Sequence, residues 1–154
     1  MTPVTRPPWL WQARAAAQIL THVDFLEITA RDLERARETA ENVNAECNKP
    51  IHKAPGLYER NWGDWAGQSN VDLDWGGSPG NGETLEEFTL RTLEGFNDVL
   101  RHGEILVVAH GGNYAVLMAA IGLSVAGPPL IKNATPMRLR GDRSAPGGWT
   151  PEAL

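Results

Sequence analysis

The chain has 154 residues, 42% of them hydrophobic, which is enough for one core and one domain. A net charge of −5 argues against non-specific nucleic-acid binding, and no apolar run approaches the ~20 residues of a membrane-spanning helix. Cys47 is the only cysteine, which excludes an intrachain disulfide and a cysteine-based zinc cluster and fits a reducing cytoplasm.

The first eleven residues read as an irregular remnant. The stretch Met1 to Pro8 lacks the apolar centre of a signal peptide. Trp9-Leu10-Trp11 reads as a short extended piece, and a helix begins at Gln12 in a run of alanines. Phe25 to Thr29 reads as a strand and Asp32 to Asn44 as a helix, with Leu33, Ala36, Ala40 and Val43 on one face. Arg31, Arg35 and Arg37 cluster near the start of that helix, where cations are normally disfavoured unless an anion sits nearby. Arg31 and Arg37 are also explained by pairing with Asp32, Glu34, Glu38 and Glu41 on a solvated face.

Pro50 to Pro55 reads as at most a short edge strand between prolines. A long polar loop follows from Gly56 to Gly82, and a loop of that length is usually functional or disordered. Its tryptophans Trp62 and Trp65 suggest packing, whereas Trp75 to Gly82 reads as the more mobile part. Thr84 and Glu87 form a capping box for a helix to about Leu100, with Leu85, Phe88, Thr92, Phe96 and Leu100 as its buried stripe.

Glu104 to Asn113 is the centre of the chain. Ile105 to Ala109 reads as a strand buried on both faces, and His110-Gly111-Gly112 turns into a helix of about Asn113 to Ile121. Ligands collect at the carboxyl ends of such strands, and a helix N-terminus suits an anion. His110 is therefore placed to meet a phosphate, although a structural histidine at a strand end is the plainer reading. Thr135 to Arg140 reads as a late strand and 141–154 as a turn-rich tail. The element order predicts an α/β fold, layered α/β/α, with a mostly parallel sheet.

Four stretches carry a family resemblance over about nine-tenths of the chain. They are Thr29 to Ala40, Leu57-Tyr58-Glu59 through Trp65-Ala66-Gly67, Gly82-Glu83-Thr84 with Arg91 downstream, and Val107 to Gly112. In this order they resemble the histidine phosphatase superfamily, the phosphoglycerate mutase-like phosphatases. The resemblance implies metal-free hydrolysis of a small phosphorylated molecule through a phosphohistidine, with no cofactor. It implies that Arg35 and His110 hold the phosphoryl group and that Glu59 is the acid and base. It also places Gly111 and Glu83 at the substrate. These roles suit a dianion, whose transfer depends on converging donors and electrostatic stabilisation.

One motif departs from the pattern. The superfamily's Arg-His-Gly nucleophile follows its first strand and precedes the helix that here starts near Gln12. In this chain Trp9-Leu10-Trp11 runs directly into that helix, so the first central strand and the nucleophile are missing or reduced. Arg101-His102-Gly103 spells the triplet before a strand instead of after one, and reads as coincidence. The expectation is an impaired or lost activity. A non-catalytic phosphate-binding protein and a mutase-type phosphoryl transfer stand as alternatives. Either the sequence is incomplete in this region, or the sheet is restored by Pro8 to Trp11 or by a partner chain, which leaves a homo-oligomer open.

Overall fold

Three parallel strands set the architecture: β1 (Glu27–Ala30) lies between β2 (Ile51–Lys53) and β3 (Ile105–Val108). The computed structural model describes residues 8–30, 34–69, 72–123 and 131–154, without the side chains of Pro8, Glu34 and Arg35. Ala30 is level with Lys53 on one side and with Val108 on the other, so all three carboxyl ends open on one edge of the sheet.

Side chains alternate across the sheet, as strand geometry requires. Leu106 and Val108 join a cluster with Ala17, Leu20, Phe25, Ile28, Ala40 and Val43, beneath α1 (Pro8–Leu20) and α2 (Glu34–Cys47). Ile105, Val107 and Ala109 pack on the opposite face against Ala54, Leu57, Phe96 and Val99, beside α3 (Leu85–Val99) and α4 (Gly111–Ala120). The result is the layered α/β fold expected, with a parallel sheet between helices.

The α3 helix starts as its sequence dictates. Thr84 Oγ1 accepts from the Glu87 N–H at 3.1 Å, and Glu87 Oε2 accepts from the Thr84 N–H at 2.9 Å. Its buried residues are Phe88, Thr92, Gly95, Phe96 and Val99, whereas the expected stripe ends Leu85 and Leu100 are exposed. The stripe follows the 3.6-residue period, and Leu100 lies past its last buried position.

Several expectations are corrected. Trp9 to Trp11 are not extended but helical, because Pro8 begins α1 where its fixed φ and missing N–H cost nothing. The face that α1 buries is Ala13, Ala16, Ala17 and Leu20, and Trp11 is exposed. Pro8 to Trp11 therefore do not complete the sheet. β3 is not buried on both faces, since each of its four residues is half-buried. Among the described residues it pairs with β1 alone. The tail 141–154 is not only turns. β4 (Met137–Gly141) pairs antiparallel with β5 (Trp149–Ala153), Leu139 lying opposite Pro151. A proline is tolerated in this two-stranded ribbon because its nitrogen lies on an edge.

Smaller shifts affect the other elements. Helix α2 runs three residues beyond Asn44, and helix α4 starts at Gly111 instead of Asn113. Arg31, Asp32 and Leu33 lie outside the described residues. Arg37 pairs with Glu41 at 3.3 Å on an exposed face, as the solvated reading expects. Among the described residues no helix is long and apolar enough to cross a membrane.

Ile28 is fully buried at the centre of β1, whereas Leu26 is 66% exposed. Ile28→Ala is expected to lower the unfolding free energy by about 2–5 kcal/mol in urea titration, and Leu26→Ala to change it by less than about 0.5 kcal/mol.

Candidate active site

The aligned carboxyl ends bring three segments to one edge of the sheet. β1 leads toward Arg35, in the first turn of α2. β2 leads through a turn of 3-10 helix, Pro55–Leu57, to Glu59. β3 leads to His110, the N-cap of α4. The backbone thus brings Glu59 and His110 to the same end, and the side chain of Arg35 lies outside the described residues. Gly111 is the first residue of α4, where backbone N–H groups have no partner within the helix.

Glu59 and His110 meet. Glu59 Oε2 lies 3.3 Å from His110 Nδ1, with the carboxylate 35% and the imidazole 19% exposed. Glu59 Oε1 accepts from the Arg60 N–H at 3.0 Å. The pair is open enough for a small ligand and buried enough to strengthen electrostatic contacts. Gly112 makes room for it, because a Cβ there would sit 3.1 Å from Phe88 and 3.2 Å from Glu59 Oε1.

The segment carrying Glu59 has no regular structure of its own and is held by α3. Arg91 donates to the carbonyls of Gly56 at 2.9 Å, Tyr58 at 3.1 Å and Glu59 at 3.4 Å. Its guanidinium also grips Glu83 with two bonds of 2.7 Å, and the Asn61 N–H donates to the same carboxylate at 2.8 Å. These contacts engage Glu83 within the protein, bracing the Glu59 segment. Gly95 permits the approach, since a Cβ there would lie 2.8 Å from the Gly56 backbone.

Residues 10–147 match the Histidine phosphatase superfamily (branch 1). The chain belongs to the histidine phosphatase superfamily. It is similar to the adenosylcobalamin/alpha-ribazole phosphatase of Salmonella typhimurium, 31% identical over 140 residues, covering 78% of this chain and 67% of that protein. The glucosyl-3-phosphoglycerate phosphatase of Mycolicibacterium vanbaalenii is 29% identical over 165 residues, covering 88% of this chain and 72% of that protein. Among solved structures, Bacillus stearothermophilus YhfR superposes with a TM-score of 0.75 at 25% identity, covering 92% of this chain and 79% of that one.

Within this superfamily fold the Arg101-His102-Gly103 triplet lies away from the pocket. It precedes β3, while His110 follows it, so the strand separates the two histidines. His102 Nδ1 instead lies 3.4 Å from Glu27 Oε1 at the start of β1. Among the described residues, no cluster of three or more His, Cys, Asp or Glu side chains is arranged to hold a metal ion.

Sequence reasoning missed Arg60, which is only 2% exposed. It donates to the carbonyls of Trp75 and Gly77 at 2.6 Å each and to that of Glu83 at 3.0 and 3.1 Å. Its guanidinium stacks 4.5 Å from the centroid of Trp62, which meets Trp75 edge-on at 4.9 Å. The part of the loop around Trp75 to Gly82, expected to be mobile, is therefore pinned from inside. An arginine within two residues of a tryptophan in a long loop was the available signal.

Arg91 holds the Glu83 carboxyl below the usual range through its hydrogen bonds, with the Asn61 N–H and the nearby charges of Arg91 and Arg60 acting the same way and burial opposing. A depressed carboxylate stabilises the fold fully above its unfolded pKa, here the ordinary 4.5, and loses that contribution as pH falls through the lower folded value. Glu83→Gln is expected to cost about 1–3 kcal/mol at pH 7, with the gap to the parent closing below about pH 4 in urea titrations. Arg60→Met leaves three carbonyls without their donor and is expected to cost about 2–4 kcal/mol. Limited proteolysis should then cut within 68–78 at protease levels that leave the parent intact.

Proposed function

We propose that this chain is a phosphomonoester-binding member of the superfamily, with Glu59 and His110 as its reacting centre and Arg35 as a second phosphoryl ligand. The observation that carries the reading is the Glu59–His110 contact of 3.3 Å at the carboxyl ends of parallel strands, beside the start of α4. A phosphate dianion there would accept from His110 and from the first N–H groups of α4, including that of Gly111. Glu83 serves the site through Arg91.

Hydrolysis adds water across the P–O bond: the water oxygen goes to phosphorus and one proton goes to the departing alkoxide. Glu59 suits the proton transfer to the leaving oxygen. In a direct attack the water, in line on the opposite side of phosphorus, gives its proton to solvent. The covalent route needs a further nucleophile, and the one Arg-His-Gly triplet of this sequence lies at the far end of β3. His110 cannot be nucleophile and phosphoryl clamp together. With the groups of this sequence alone, turnover is slow, by direct attack of water, and the chain acts chiefly as a phosphate binder. The relatives named as phosphatases of alpha-ribazole and of glucosyl-3-phosphoglycerate make their phosphomonoesters the first compounds to assay.

The test uses protein whose intact mass is 16.8 kDa. Orthovanadate and phosphate should bind in calorimetry, and His110→Ala should weaken binding by about 10–100-fold. Hydrolysis of p-nitrophenyl phosphate should stay near the buffer rate. Absence of any binding would overturn the phosphate site. Turnover of about 1 s⁻¹ or more, ordinary for an enzyme, would overturn the missing nucleophile.

A further inference from the structure

We infer that Asn113 is a positioning residue that sets the contact between Glu59 and His110. Its side chain is fully buried in the first turn of α4. Oδ1 accepts from the His110 N–H at 3.2 Å. Nδ2 donates to the Tyr58 carbonyl at 3.1 Å and to Thr92 Oγ1 at 3.2 Å. The Tyr58 carbonyl belongs to the peptide that leads into Glu59. One amide, 55 residues from Tyr58 in the sequence, therefore ties the peptide before Glu59 to the peptide before His110.

The chemistry fixes which way the amide faces. A backbone N–H can only donate and a carbonyl can only accept, so Oδ1 must face His110 and Nδ2 must face Tyr58. Thr92, itself fully buried on α3, takes the second amide hydrogen and locks the rotamer. Ser, Asp and Leu cannot supply one acceptor and two donors at this reach. Ordinary helix capping accounts for the bond to the His110 N–H and leaves the bonds to Tyr58 and Thr92 unexplained. The strut joins two loops that share no backbone hydrogen bond in the sheet, and the two side chains they carry meet at 3.3 Å.

This inference rests on Glu59 and His110 being the reacting pair, and its test needs neither turnover nor ligand. The readout is the His110 ring signal in a ¹H–¹³C NMR spectrum, assigned by its disappearance in His110→Gln. Glu59→Gln should shift that signal in the parent. In Asn113→Ala the same change should no longer shift it. Asn113→Asp keeps the shape and the acceptor for His110 but loses the donors to Tyr58 and Thr92, so it should also lose the response. It serves as the test if the alanine variant fails to fold. Ile28→Val, a core change that touches neither loop, should keep the full response.

Three results would overturn the strut. They are a full response in either folded Asn113 variant, loss of the response in Ile28→Val, and no response in the parent. Orthovanadate titration of the parent separates the two ideas. No binding with the NMR coupling intact removes the phosphate reading and keeps the strut, whereas binding without the coupling does the reverse.

Discussion

The site depends on the grip of Arg91 on a stretch of chain that cannot hold itself. Residues 58–62 make no helix and no strand, so their carbonyls need donors from elsewhere. Arg91 supplies two such bonds, to Tyr58 and Glu59, and a third to Gly56 just before them, from the middle of α3, and Glu83 holds its guanidinium in place. Arg60 does the same for the other side of the loop with its bonds to Trp75, Gly77 and Glu83. A guanidinium suits this work because it carries five donors in a fixed plane and always stays charged. Two arginines thus replace the ladder that a strand would have provided.

The sheet and the loops divide the labour. Parallel pairing levels the ends of the three strands, and the ends of β2 and β3 need only short connections to reach Glu59 and His110. The strands carry the apolar packing on both faces, and the polar groups cluster where the strands stop. Glycine appears where backbones must approach, as at Gly95 against Gly56 and at Gly112 against Glu59. This is the usual arrangement of open α/β sheets, with binding groups at the carboxyl ends and a rigid layer beneath them.

Much of this was legible because it is local. The Thr84–Glu87 box, the apolar run of β3 and the His-Gly-Gly turn into α4 announce themselves within a few residues. Glu59 and His110 were legible through the motifs around them, and the structure brings them together. What escaped was long-range. Arg60 looks like a solvent residue until Trp75 and Gly77 fold over it. Asn113 reads as a helix start until Tyr58 arrives from another loop. The opening helix was hidden by prolines and by an apolar triplet that mimics an extended piece. β5 was hidden by Pro151, which ordinarily argues against a strand. The half-exposure of β3 could not be read from its composition, because five apolar residues look the same at an edge and in the middle of a sheet.

The order of the strands in space differs from their order along the chain, and this has a consequence for synthesis. β1 meets β2 early, but its other neighbour, β3, ends at Val108, opposite Ala30. At about 5–20 residues per second, some 4–16 seconds separate the two on a ribosome. During that interval one flank of β1 has no partner strand, and the segment bearing Glu59 has been made without its clamp from α3.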